Sequence, residues 1–169
     1  MKILYLVRHA KSSWDFPDLD DMERPLNSRG KHDAPLMGKI LKKLSGEPDK
    51  IISSPAKRAI STAKRIADEL GYPKKKIVKD SRLYMAGSSG FIDTISEQKK
   101  NVNSIMLFSH NPGMTTFANS VSDAAIENIP TCGVVRIDFE INKWKEIAEN
   151  PEAKGKMIYF EYPKKIERW

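Results

Sequence analysis

The first strand constrains the fold more than any other feature. Ile3 to Val7, ILYLV, is an unbroken apolar run that stops at Arg8-His9. A strand with one wet face alternates apolar and polar residues. A strand that is apolar at every position needs cover on both faces. Such a strand belongs to a layered α/β protein. It also brings an arginine and a histidine side by side to its carboxyl end, which packing alone does not demand.

Further segments fit the same architecture. Lys50 to Ser53 reads as a short strand, and Ser104 to Ser109, SIMLFS, as a third apolar one. From Gly30 to Leu44, Ala34, Leu36, Met37, Ile40, Leu41 and Leu44 recur at helical spacing, with Pro35 expected in the first turn. Pro55 opens a second helix, with Ala59, Ala63, Ile66, Ala67 and Leu70 on one face and Gly71 past its end. Ile77-Val78 is a short strand candidate, Phe91 to Lys99 a weak helix, and Pro112-Gly113 to Val121 a further helix. Val134 to Ile141 and Met157 to Tyr162 alternate, as antiparallel strands with one wetter face do. The expected fold is a three-layer α/β/α sandwich, mostly parallel, with antiparallel edge strands. With no linker, repeat or low-complexity segment, residues 1–169 read as one domain.

Composition narrows the function classes. Of 169 residues, 40% are hydrophobic and 30% charged, and no apolar run is long enough to cross a bilayer. The apolar start is too short for a signal peptide and meets Arg8 and His9 where a hydrophobic stretch should continue. The chain is therefore read as a cytoplasmic protein with no membrane partner. A single cysteine, Cys132, excludes an internal disulfide and a cysteine-based metal cluster. The formal charge of +7 comes mainly from lysine groups such as Lys42-Lys43, Lys74-Lys75-Lys76, Lys99-Lys100 and Lys164-Lys165, read as solvated loops and helix ends. No nucleic-acid module accompanies them, so no nucleic-acid partner is expected. Acids gather in one place: Asp15, Asp18, Asp20, Asp21 and Glu23 follow the first strand.

Three strands share a theme at their ends. The first ends in Arg8-His9, the second runs into SSPAKR, Ser53 to Arg58, and the third into SHNP, Ser109 to Pro112. In an open parallel sheet the carboxyl ends of the strands line one edge, where ligands bind. Arg8, His9, Arg58 and His110 are thus expected in one crevice, beside helix starts that favour an anion. That set suits a phosphoryl group. Guanidinium forks pair its oxygens. A neutral imidazole can attack phosphorus and hold it covalently. A second imidazole, if protonated, can donate to an equatorial oxygen. Positioning and charge stabilisation supply most of what phosphoryl transfer needs. Zinc held by His9, His110 and a carboxylate is the competing chemistry, but no HxH or HExxH spacing supports it. His32 reads as an exposed helix residue, and Trp14 as a side chain that packs a loop.

LVRHAKSSWD, ERPLNSRG, SSPAKRAISTA and FSHNPG, in this order, resemble the histidine phosphatase superfamily, and more narrowly its SixA-type phosphohistidine phosphatases. The resemblance runs from residue 3 to about residue 120. It implies the phosphoglycerate-mutase-like fold. It further implies His9 as nucleophile, Arg8, Arg58 and His110 as the phosphate pocket, and Arg24 at its rim. Ser13 and Asn111 are the further substrate-binding candidates. Two departures matter. Arg-His-Gly is here Arg8-His9-Ala10, without glycine's backbone freedom. The segment resembling ERxYG is SRLYMAG, Ser81 to Gly87, and lacks the glutamate that protonates a leaving group. An acid from the loop after His9 could replace it, with Asp18, Asp21 and Glu23 the candidates alongside Asp15 and Asp20. Alternatively none is needed. An alkoxide leaving from a monoester wants a proton, whereas an imidazole leaving from phosphohistidine departs neutral if its far nitrogen is protonated.

The expectation is therefore a phosphohistidine phosphatase, working without metal or cofactor through a covalent intermediate on His9. Its partner is a phosphorylated protein or a small phosphorylated molecule, and the chain is a monomer. A phosphomonoesterase with a loop carboxylate as acid is the alternative, and a non-catalytic phosphoprotein-binding module a weaker one. Loop Trp14 to Arg24, segment Tyr84 to Phe91 and the helix after Pro112 should form the pocket above the phosphate site.

Overall fold

The structure is a computed structural model and describes residues 1–167; Arg168 and Trp169 of the expected domain lie outside the described residues. Six strands, β1 (Lys2–Arg8), β2 (Lys50–Ser53), β3 (Val78–Lys79), β4 (Ser104–Ser109), β5 (Val134–Phe139) and β6 (Lys156–Glu161), form one sheet in the order β3-β2-β4-β1-β5-β6. β3, β2, β4 and β1 run parallel, and β5 is antiparallel to both its neighbours, β1 and β6. Among the described residues the α-helices are α1 (Ser28–Leu44), α2 (Lys57–Leu70), α3 (Ser88–Ser96), α4 (Gly113–Val121), α5 (Glu146–Glu149) and α6 (Pro163–Glu167).

Period-two alternation along β1 explains its continuous apolarity. Tyr5 and Val7 join a core formed with Met37 and Leu41 of α1 and Ala63, Ile66 and Leu70 of α2. Leu4 and Leu6 join the opposite core with Phe91 and Ile95 of α3, Met114 and Phe117 of α4, and Ile147 of α5. Every side chain of the run thus has helices above or below it. This is the expected α/β/α sandwich. No helix among the described residues is long and apolar enough to cross a membrane.

Helix starts differ from those the sequence predicts. α1 begins at Ser28 because the Asn27 side chain accepts the Gly30 N–H at 2.9 Å. Pro35 therefore lies inside the helix, not in its first turn. Its missing N–H leaves the carbonyl of exposed Lys31 to solvent. α3 starts at Ser88, three residues before the expected start. α2 ends as expected at Gly71, whose φ of 79° is left-handed. The lysines of the four groups are exposed, apart from Lys165, which is half-buried and pairs with Glu161 at 3.2 Å.

Candidate active site

β1 and β4 pair in register from Ile3 with Ser104 to Arg8 with Ser109, and Ser53 pairs with Phe108. The three strand ends therefore stop together, and His9, Ser54 and His110 emerge next to one another. Backbone bonds fix this edge: His9 N–H donates to the Ser109 carbonyl at 3.1 Å, and Ser54 N–H to that of Phe108 at 2.8 Å. A cavity of about 380 Å³ opens here, lined by Arg8, His9, Lys11, Ser12, Trp14, Asp21, Arg24, Arg58, Met85, His110, Asn111 and Thr131. A larger hollow of about 480 Å³ shares only Lys11 and Thr131 with it and contains neither histidine.

The His9 ring is oriented from behind. Its Nδ1 lies 2.8 Å from the Ala10 carbonyl, an acceptor, so Nδ1 carries the proton and Nε2 keeps its lone pair. Ala10 is itself pinned, donating its N–H to Thr62 Oγ1 at 2.9 Å, and that hydroxyl donates to the Arg58 carbonyl at 2.7 Å. Ala10 has no positive φ, so glycine's freedom is not required there. The His110 ring stands 5.2 Å from that of His9, with its Nε2 2.8 Å from Ser54 Oγ. Burial, then the charges of Arg58 and Arg8, lowers the His9 pKa to about 4. Burial, then His9 and Arg58, lowers that of His110 to about 3. Both rings are neutral at pH 7.

Three guanidinium groups surround the pair. Arg8 Nη1 donates to the Ile129 carbonyl at 2.9 Å, and burial lowers the Arg8 pKa. Arg58, in the first turn of α2, donates to the Asp21 carbonyl oxygen at 2.7 Å and to Asp21 Oδ2 at 2.9 Å. Arg24 donates to Ser12 Oγ at 2.7 Å and to Asp21 Oδ1 at 3.2 Å. Among the described residues, five buried side-chain polar atoms lack a hydrogen-bond partner. Three belong to this pocket: Arg8 Nε, Arg58 Nε and His110 Nδ1. Buried groups of this kind are satisfied in most proteins, and an oxyanion is the acceptor this set is built for.

The remaining expected residues divide. Asn111 lines the cavity, but both ends of its amide are engaged, donating to the Ile129 carbonyl at 2.8 Å and accepting from Thr115 Oγ1 at 2.9 Å. It positions the loop that also holds Arg8. Ser13 does not line the cavity, because its Oγ accepts the Asp15 N–H at 3.1 Å; Ser12 is the serine that does. Of the five acids, only Asp21 reaches the pocket, while Asp15, Asp18, Asp20 and Glu23 are exposed in the loop outside it. Trp14 is 78% exposed rather than packed, with the Arg24 guanidinium 3.7 Å above its ring. His32 is exposed, as expected; with Asp33 and Glu167 it forms the one trio at metal-ligand spacing among the described residues. Arg29 already pairs with both of those carboxylates.

Tyr84 opens the segment expected above the phosphate site, and its own contacts are what the sequence does not specify. Its ring meets His110 edge-on at 5.4 Å and its hydroxyl donates to Asp21 Oδ2 at 2.5 Å. The signal was present in SRLYMAG, but a loop sequence does not reveal which side chain turns inward.

A parallel-stranded sandwich with two imidazoles and three guanidinium groups at its strand ends defines a phosphoryl-handling class. The chain belongs to the histidine phosphatase superfamily, whose branch 1 pattern matches residues 4–84. Within it the chain is of the SixA type. It is similar in fold to a structure assigned as the phosphohistidine phosphatase SixA of Agrobacterium tumefaciens, with TM-score 0.78 and 28% identity over 96% of this chain and 98% of that one. An uncharacterized chloroplastic protein of Arabidopsis thaliana is 32% identical over 151 residues, 85% of this chain and 69% of the relative. An uncharacterized protein of Mycobacterium tuberculosis is 31% identical over 139 residues, 76% of this chain and 84% of the relative.

Proposed function

We propose that this chain is a metal-independent phosphohistidine phosphatase acting through a phosphohistidine intermediate on His9. The observation that carries the reading is the neutral His9 ring, tied through Nδ1 to Ala10, inside a pocket whose unpaired buried atoms belong to Arg8, Arg58 and His110. In the first step the His9 Nε2 lone pair forms a bond to phosphorus as the bond to the leaving nitrogen breaks. Arg8 and Arg58 balance the charge on the equatorial oxygens. The phosphoryl dianion draws a proton onto His110, whose ring then donates to it. In the second step water attacks phosphorus, the bond to Nε2 breaks, and phosphate leaves with His9 restored. The SixA name of the Agrobacterium structure supports the choice of substrate. So does SRLYMAG, which offers no glutamate for an alkoxide leaving group.

Phosphomonoester hydrolysis with a loop acid is the second reading, and Asp21 is the observation that bears on it. It is the one loop acid at the pocket, yet hydrogen bonds from Tyr84, Arg58 and Arg24 hold its carboxyl well below the usual range. A group so firmly ionised is a poor proton donor.

Turnover of a phosphohistidine-bearing protein should exceed that of simple phosphomonoesters and survive chelator. His9→Ala should abolish turnover with the fold intact. The wild type should yield an acid-labile, base-stable phosphoenzyme. Normal turnover in His9→Ala removes the proposal; a clear preference for monoesters moves it to the second reading.

A further inference from the structure

Asp21 is the one acidic residue lining the pocket among the described residues, and four hydrogen bonds keep it there. Its carboxylate accepts from Arg58 Nη2 at 2.9 Å, Arg24 Nε at 3.2 Å and Tyr84 Oη at 2.5 Å, while its backbone carbonyl accepts from Arg58 Nη1 at 2.7 Å. The Arg58 side chain is 3% exposed and that of Asp21 46%, so the carboxylate sits on the solvent side of the guanidinium. A carrier whose phosphoryl group is held by Arg58 has this carboxylate beside it.

We infer that Asp21 sets specificity, turning away phosphorylated compounds with a second anionic group beside the phosphorus and admitting those whose carrier is neutral or cationic there. The inference rests on the phosphoryl-transfer reading above and deepens it. Asp21 stays charged while its three donors stay in place. A carrier carboxylate or second phosphate brought within a few ångströms meets a fixed like charge. Arg24 cannot compensate, being engaged with Asp21, Ser12 and the Trp14 ring. Lys11 also lines the pocket, but it is exposed and attracts as a solvated charge. An imidazole with its far nitrogen protonated, by contrast, is a carrier that Asp21 attracts.

Direct binding separates this inference from catalysis. Glycerol 3-phosphate and 3-phosphoglycerate present the same skeleton with a neutral or an anionic end, and their dissociation constants are measured by titration calorimetry. The wild type should bind glycerol 3-phosphate about tenfold more tightly, the scale of one like charge in a partly solvated site. The chain's net charge of +7 favours the more anionic ligand at long range, so this preference runs against the global field. Asp21→Asn should bring the ratio close to one. Tyr84→Phe, which removes a tether but keeps the charge, should retain it. No preference in the wild type, or the same ratio in Asp21→Asn with an unchanged melting transition, overturns the inference. If Asp21→Asn does not fold, Asp21→Ser takes its place under the same criteria. A phosphoenzyme trap at His9 reports separately on the function, so either can fail alone.

Discussion

His9 and His110 are the residues whose protonation the fold controls most tightly. In an unfolded chain an imidazole titrates near 6.5. Here His9 is held to about 4 and His110 to about 3, chiefly by burial. Between those values the unfolded chain binds more protons than the folded one. The stabilising difference is therefore fully present above about pH 6.5 and is lost as pH falls toward 4. Each ring contributes a slope of up to about 1.4 kcal/mol per pH unit. Denaturant unfolding from pH 7 to pH 5 should show the stability falling, and less steeply in His9→Asn/His110→Asn. Equal slopes in the two proteins would show that the rings are not shielded as drawn. Added inorganic phosphate should raise the NMR titration midpoint of His110, because a dianion beside the ring favours its cationic form. These two residues, with Arg8 and Arg58, were readable from sequence because each ends or follows a strand or lies in the first turn of a helix. Ser12, Tyr84 and the choice of Asp21 among five acids were not, because loop geometry selects them.

At the scale of elements, close backbone approach explains a motif that periodicity cannot. Gly113, the glycine of FSHNPG, begins α4 against the Ala86 carbonyl; a Cβ there would lie 1.7 Å from that oxygen. The approach brings α4 and the Tyr84–Ala86 segment together over the His110 end of β4, where Ser109 Oγ donates to the Leu83 carbonyl at 2.5 Å. Gly113→Ala must displace backbone, so a destabilisation of about 1–3 kcal/mol is expected, the range for overpacked sites. Its turnover of phosphohistidine substrate should also fall, because Tyr84 and Met85 move with Ala86. Gly87→Ala is the comparison, since nothing lies within 4 Å of its added Cβ and its φ is an ordinary −88°. A thermal melt of both variants decides the point; equal losses would mean that the approach is not tight. The long apolar and alternating segments were legible because helix and strand periods dominate them. The one-turn pieces at Asp21–Glu23, Ser81–Leu83 and Glu146–Glu149 were not, since three or four residues do not establish a period.

The whole molecule sets a field that the pocket alone does not. The net charge of +7 resides mostly in exposed lysines distributed over loops and helix ends. Of the five acids of the Asp15–Glu23 loop, Asp21 lines the cavity and the other four are exposed. Exposed charges spaced beyond a screening length act weakly in contact but together raise the local concentration of anions. At about 0.1 M salt that length is about 10 Å, so added salt removes the far contribution and spares the near one. The proposed reaction separates these terms. Capture of a phosphorylated substrate, measured as kcat/KM, should decline as sodium chloride rises from about 0.02 to about 0.3 M, whereas kcat should change little, because the phosphoryl group is then already paired with Arg8 and Arg58 in a buried site. Replacing Lys74, Lys75 and Lys76 with glutamine, none of which lines the cavity, should reduce the salt slope of kcat/KM without altering kcat. A kcat/KM indifferent to salt would assign the attraction wholly to the pocket and return the lysine groups to the solvating role their sequence suggests.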